Sequence, residues 1–194
     1  MWSAVTAAQE GLPYAYAHFF SAQGTRQAIE YYQRNFQPSR FDDGGLARRQ
    51  PEATLAIGVI VAPTQEEADF HHASVRLLQR RIRTGDRRPV ATPEDALREL
   101  DAFHPAAPNP FVSFTAGNLD EPDEEWPRYV VGTPDSVAKR LHGLADELHL
   151  RELIVNTVIH SHEARLRSYT LLAEAMGLDA RSATNEPEVS QQAA

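Results

Sequence analysis

The sequence predicts an α/β chain built on parallel strands. Two observations carry this. Short apolar runs alternate with segments of helical periodicity, which is the pattern of βαβ units. One of the runs, Leu55 to Ala62, is almost wholly apolar, as in a strand covered on both faces. Length adds a bound. The 194 residues make one ordinary domain. A complete (β/α)8 barrel takes about 250 residues. The pattern therefore reads as half to two-thirds of a larger α/β unit.

The elements follow in order. Ser3 to Glu10 is Ala-rich and reads as a short helix closed by Gly11. Leu12 to Phe20 reads as a strand, with Tyr14, Tyr16 and His18 on one face and Ala15, Ala17 and Phe19 on the other. Thr25 to Phe36 carries Ile29, Tyr32 and Phe36 on a helical stripe, and Pro38 ends it. Residues 40–52 form a charged loop. Gly58, inside the second strand, marks a close backbone approach or simply a small residue in a tight barrel. Thr64 and Glu67 form a capping box that opens a helix to about Arg83.

Periodicity weakens from 84 to 128, where an irregular insertion with a short helix near 93–103 is expected. Eight of the 13 prolines lie between Pro89 and Pro134. Such insertions serve as substrate walls or as tolerated surface loops. Order returns at Tyr129. Thr133 and Pro134 open a helix whose stripe is Val137, Leu141, Leu144 and Leu148. Glu152 to Ile159 is a third clear strand, and Ser161 or His160 caps a last helix through Met176. The domain is expected to span 1–177, with a polar, disordered tail over 178–194.

Composition excludes several classes. The formal charge of −8 argues against nucleic acid and anionic membrane as partners. The absence of cysteine removes disulfides, thiolate catalysis and Cys-based metal sites, and fits a reducing cytoplasm. No apolar run reaches the ~20 residues of a membrane span, and the first ten residues lack the regions of a signal peptide. No dinucleotide fingerprint, phosphate loop, zinc-protease helix or nucleophile elbow occurs. Gly44-Gly45 follows Asp42-Asp43, whose charges would repel an anion, so it reads as a surface turn.

Three stretches carry a family resemblance. They are 2–20, beginning Trp2-Ser3-Ala4-Val5 and ending His18-Phe19-Phe20; Val130-Val131-Gly132-Thr133-Pro134-Asp135-Ser136-Val137; and Ala164-Arg165-Leu166-Arg167-Ser168-Tyr169. Together they resemble the C-terminal portion of bacterial luciferase-like monooxygenases. The first resembles the segment after the fifth barrel strand, the others the last two βα units. The resemblance implies a partial TIM (β/α)8 barrel, C-terminal half, with parallel strands. It implies reduced FMN, or in some branches F420, used with O2 to oxidise a small organic substrate, with a flavin reductase in the cell. The family's first four strands and its Gly-Ser-Ser motif have no counterpart here. Most of the flavin ring pocket is expected there, and Met1 is expected to be an internal methionine. This chain alone is then expected to be inactive. The other class of function is a non-catalytic half-barrel whose open edges favour binding or a homodimer.

The candidate site residues are few. Ser3 matches a hydroxyl position beside the family's phosphate loop, where a helix start can hold phosphate; the alternative is a simple cap. Thr6 is a weaker version of the same idea. His18 falls at the C-terminal end of its strand, where barrel active sites are built, and is the catalytic candidate; the alternative is a structural hydrogen-bonder. Tyr16 shares that face and is a flavin-lining candidate, with packing as its alternative. Asn156 and Thr157 put a polar residue toward a barrel interior, as in a substrate pocket. His160, at the end of the same strand, is a third substrate-contact candidate; it shares a strand face with His162 as a metal pair would, but no third ligand is legible, so helix capping explains the pair better and no metal is expected. His71 and His72 point about 100° apart on their helix, which suits joint ligation poorly.

Overall fold

The computed structural model describes residues 1–39, 49–102 and 126–178. The expected loop at 40–48, the middle of the insertion (103–125) and the tail from 179 lie outside the described residues. Six helices and four strands alternate among the rest: α1 (Trp2–Glu10), β1 (Tyr14–Ala17), α2 (Thr25–Asn35), β2 (Ala53–Val61), α3 (Gln65–Thr84), α4 (Pro93–Asp101), β3 (Tyr129–Gly132), α5 (Pro134–Glu147), β4 (Glu152–Asn156) and α6 (His162–Ala175).

Local chemistry sets most boundaries. Gly11 ends α1 in the left-handed region at φ 67°, and a side chain there would strike the backbone of Gln37 and Ser39. The Thr64 hydroxyl accepts from Glu67 N, as the capping box requires. Ser161, not His160, caps α6 by accepting from Ala164 N. Thr133 sits at the N-cap of α5, but its hydroxyl donates to Ser136 Oγ instead of capping. The strands are shorter than expected at both ends of the chain. β1 keeps only 14–17 of 12–20, and β4 ends at Asn156. The four-residue β3, read from sequence only as a return of order, is a strand of the sheet.

All strand pairs are parallel, and β2 is their common partner. β1 pairs with 53–56, β3 with 58–61 and β4 with 54–58. Along a strand, backbone groups of alternate residues face alternate edges. Glu52 O and Ala56 O receive bonds from Tyr14 N and Phe19 N. Gly58 N and Ala62 N donate to Arg128 O and Gly132 O. These even-numbered residues place β1 and β3 end to end on one edge, and β4 holds the other. Pairing on both edges and cover on both faces explain why β2 is apolar and buried apart from half-exposed Thr54.

The two faces carry different layers. Leu55, Ile57, Val59 and Val61 pack with Tyr14, Val130 and residues of α1, α2, α5 and α6 on one face, here called outer. Ile60 and Ala62 pack with Ala68 and Val75 of α3 on the other, inner face. Right-handed crossovers require this. The path from β1 to β2 moves one way with α2 outside. The path from β2 to β3 returns, so α3 must lie on the opposite face. The path from β3 to β4 crosses again with α5 outside. The expected parallel α/β architecture is present, and the described sheet is open. A closed barrel pairs each strand with the next and keeps every helix outside; here β4 pairs with β2, and α3 covers the face a barrel would turn inward.

Candidate functional site at the strand ends

Two sets of residues lie near the C-terminal ends of the strands. The first surrounds His18, immediately after β1. The face bearing Tyr14, Tyr16 and His18 turns toward the outer helices, and exposed Ala15 and Ala17 take the inner face. His18 is fully buried. Its Nδ1 lies 2.8 Å from Thr25 Oγ1 and its Nε2 3.1 Å from Pro127 O. Thr25 Oγ1 is also 2.7 Å from Ala22 O, and the Tyr16 hydroxyl donates to Gln23 O at 2.8 Å. The ring thus joins the end of β1 to α2 and to the chain entering β3. Nearby, the Arg26 guanidinium lies 4.8 Å over the Trp126 ring.

Both ring nitrogens of His18 are engaged within the protein, so the alternative considered for it, a structural hydrogen-bonder, describes its placement. Tyr16 is held the same way, and burial pushes its hydroxyl above the ordinary tyrosine value. Tyr14 is raised for the same reason, against a bond from Ser3 that works in the other direction. Ser3 itself is exposed in the first turn of α1, where no side chain caps the helix. The Thr6 hydroxyl donates back to Trp2 O at 3.2 Å inside that helix.

The second set lies on the inner face. Gly58 is in register with Tyr129 on one side and Asn156 on the other. A Cβ at Gly58 would run into the Tyr129 ring, so what approaches this glycine is an aromatic side chain and not the backbone that was expected. The His72 ring of α3 packs near Tyr129, with centroids 5.9 Å apart. Asn156 is the half-buried polar member of this row. Thr157 instead lies buried and donates to Val59 O at 2.8 Å, tying β4 to β2. Ser168 of α6 does similar work by accepting from Val61 N at 2.9 Å. His160 is exposed beyond the end of β4, so it shares no strand face with His162. His162 Nδ1 lies 2.9 Å from Arg165 Nη2. Among the described residues no group of metal-ligating side chains comes together, and no helix is long and apolar enough to cross a membrane.

Sequence reasoning missed the Tyr129–His72 pair. The signal was weak, because the two are 57 positions apart and meet only through the inward packing of α3. Burial, with Arg76 adding to it and Asp69 opposing, pushes His72 from 6.5 down to about 4. The unfolded ring binds its proton near 6.5 and the folded ring only near 4, so the unfolded state holds more protons between these values. Stability is expected to fall as pH drops through that window. The loss reaches about 3 kcal/mol at pH 4 as an upper bound. Urea midpoints measured from pH 7 to pH 4 on the protein and on His72→Gln check it; the variant should show a flatter profile.

Two open clefts run along α3 and α4, and the first begins at Thr64, three residues past the end of β2. One, of about 540 Å³, includes Phe70, Leu97 and Arg76 in its lining; the other, of about 520 Å³, includes Arg81, Arg88 and Glu99. Neither includes Ser3, Tyr16, His18 or Asn156.

The fold defines a parallel α/β chain with helices on both faces of its sheet. Comparison with known proteins gives its relatives. The Bacillus subtilis (strain 168) protein YwcH is 30% identical over 173 residues, covering 89% of this chain and 46% of that protein. A luciferase-like monooxygenase of Escherichia coli (strain K12) is 28% identical over 171 residues, covering 88% and 45%. The crystal structure of apo-MsnO8 superposes with a TM-score of 0.76 at 41% identity, covering 92% of this chain and 48% of that one. No family model matches. The chain is similar to luciferase-like monooxygenases, and it spans about half the length of the curated relatives it matches.

Proposed function

We propose that this chain is a portion of a luciferase-like, flavin-dependent monooxygenase. The family-length protein would oxidise a small organic substrate with reduced flavin and O2, in the cytoplasm, with a flavin reductase as supplier. The observation that supports this best is the alignment with the E. coli luciferase-like monooxygenase along nearly the whole of this chain. FMN is the preferred cofactor over F420.

The described residues fit one end of that cofactor. The first turn of α1 presents backbone N–H groups with no side-chain cap, which suit a phosphate, and exposed Ser3 stands beside them with its hydroxyl shared with Tyr14. They do not fit the ring system. Tyr16 and His18 face the helices with their polar atoms engaged. The ring pocket is therefore assigned to the part of a family-length protein that this chain does not match, and His18 acts as a positioning residue. No chemical step is assigned to this chain alone, and Asn156 is its candidate substrate contact.

Anaerobic titration with reduced FMN and reduced riboflavin tests this. FMN is expected to bind weakly, without turnover, and at least about tenfold more tightly than riboflavin, a difference of about 1.4 kcal/mol. Ser3→Ala should narrow that gap. Equal binding of the two flavins would overturn the phosphate assignment, and turnover by the chain alone would overturn its partial role. A second reading, self-assembly, draws on the inner face, where Ala15, Ala17 and the 49%-exposed Ile154 lie uncovered. Size-exclusion chromatography beside the titration separates the two.

A further inference from the structure

We propose that α3 and α4 form a single cap over the inner face of the sheet that opens independently of the rest of the molecule. The inference rests on packing and does not depend on the flavin reading.

The two helices are bound to each other by apolar contact and by a part-buried ion pair. Ala73 and Leu77 of α3 bury themselves against Ala96 of α4. The Arg81 guanidinium, also buried, forks onto Glu99 of α4 at 3.2 and 2.6 Å and reaches Pro89 O at 2.9 Å. Exposed Arg88 closes the same node through Asp86 and Glu99. Against the sheet, α3 contributes Ala68 and Val75 to a cluster of five buried apolar residues. The outer cluster holds 18 among the described residues.

Two polar atoms of α3 are stranded as well. Among the described residues, Ser74 Oγ and His71 Nδ1 are buried with no hydrogen-bond partner. They are three residues apart, so they share a flank of α3. Each has lost its water on burial, and local opening of α3 returns it. His71 Nε2 has only a loose approach to Glu67, at 3.9 Å. A thin apolar contact and two orphaned groups make the cap the low-stability unit of the fold. Its hinge is the short link Ala62–Thr64, and lifting it uncovers Ile60, Ala62 and Tyr129.

Native-state hydrogen exchange on the full chain tests the proposal. Amides of 68–84 and 96–101 should exchange together. They should do so at least about 100-fold faster than those of β2 and α5, through an opening with its own small denaturant dependence. Ser74→Ala removes one orphan without adding bulk. It should slow exchange in α3 and α4 by roughly tenfold and leave β2 and α5 unchanged. The proposal is overturned if α3 exchanges only with global unfolding. It is equally overturned if Ser74→Ala leaves α3 exchange unchanged or faster.

Discussion

His18→Ala is expected to lower the stability of the chain by about 2–4 kcal/mol, through two lost bonds and a cavity. The ring is fully buried and reaches Thr25 Oγ1 and Pro127 O at once. Alanine removes both contacts and leaves the Pro127 carbonyl without that partner. The damage should be regional. β1 and β3 abut on one edge of β2, and His18 is the weld between them. Denaturant unfolding followed by far-ultraviolet circular dichroism gives the size of the loss. Hydrogen exchange should place the early opening at 14–17 and 129–132. His18→Gln, which keeps a donor and an acceptor on a shorter arm, should recover part of the stability. A loss below about 0.5 kcal/mol, ordinary for surface substitutions, would show that the ring is not holding the junction.

Gly58→Val should cost about 3 kcal/mol, at the upper end of overpacking effects. Any Cβ at this position meets the Tyr129 ring, while the backbone itself is ordinary strand. The ring must then leave the sheet and take His72 with it. Valine is a good strand residue, so propensity alone predicts a gain; the contact reverses the sign. The double variant Gly58→Val with Tyr129→Ala should cost less than the sum of the single changes, because the clash exists only when both side chains are present. Strict additivity in that cycle would mean that the ring does not rest on Gly58.

The helices were legible because their signals are local: the Thr64–Glu67 box, the Gly11 stop and the Pro134 start act within a turn of the residues concerned. β2 was legible because burial on both faces demands an unbroken apolar run. β3 was not fully legible. Four residues hold too short a pattern, and the strand exists through its partner and the His18 tie. The order of the strands lay deeper still, since nothing in the residues of α3 announces that it packs on the inner face. At the site, sequence reasoning placed Tyr14, Tyr16 and His18 together on one face, as found. The alternation of a strand, however, gives two faces without saying which meets the helices. Ala15 and Ala17 could take the inner side because they are small, a clue that becomes readable only with the helices in place.

The position of β2 as common partner carries a consequence for synthesis on the ribosome. The bond between Thr54 and Glu152 spans 98 residues, and the β2–β4 ladder cannot begin until β4 has emerged. At about 5–20 residues per second, the most apolar strand of the chain waits for roughly 5–20 seconds with one edge unsatisfied. During that interval it is the segment that a holdase chaperone would bind and that a neighbouring nascent chain would pair with. The yield of folded protein should therefore depend on translation speed between codons 62 and 152 more than on the rate anywhere upstream.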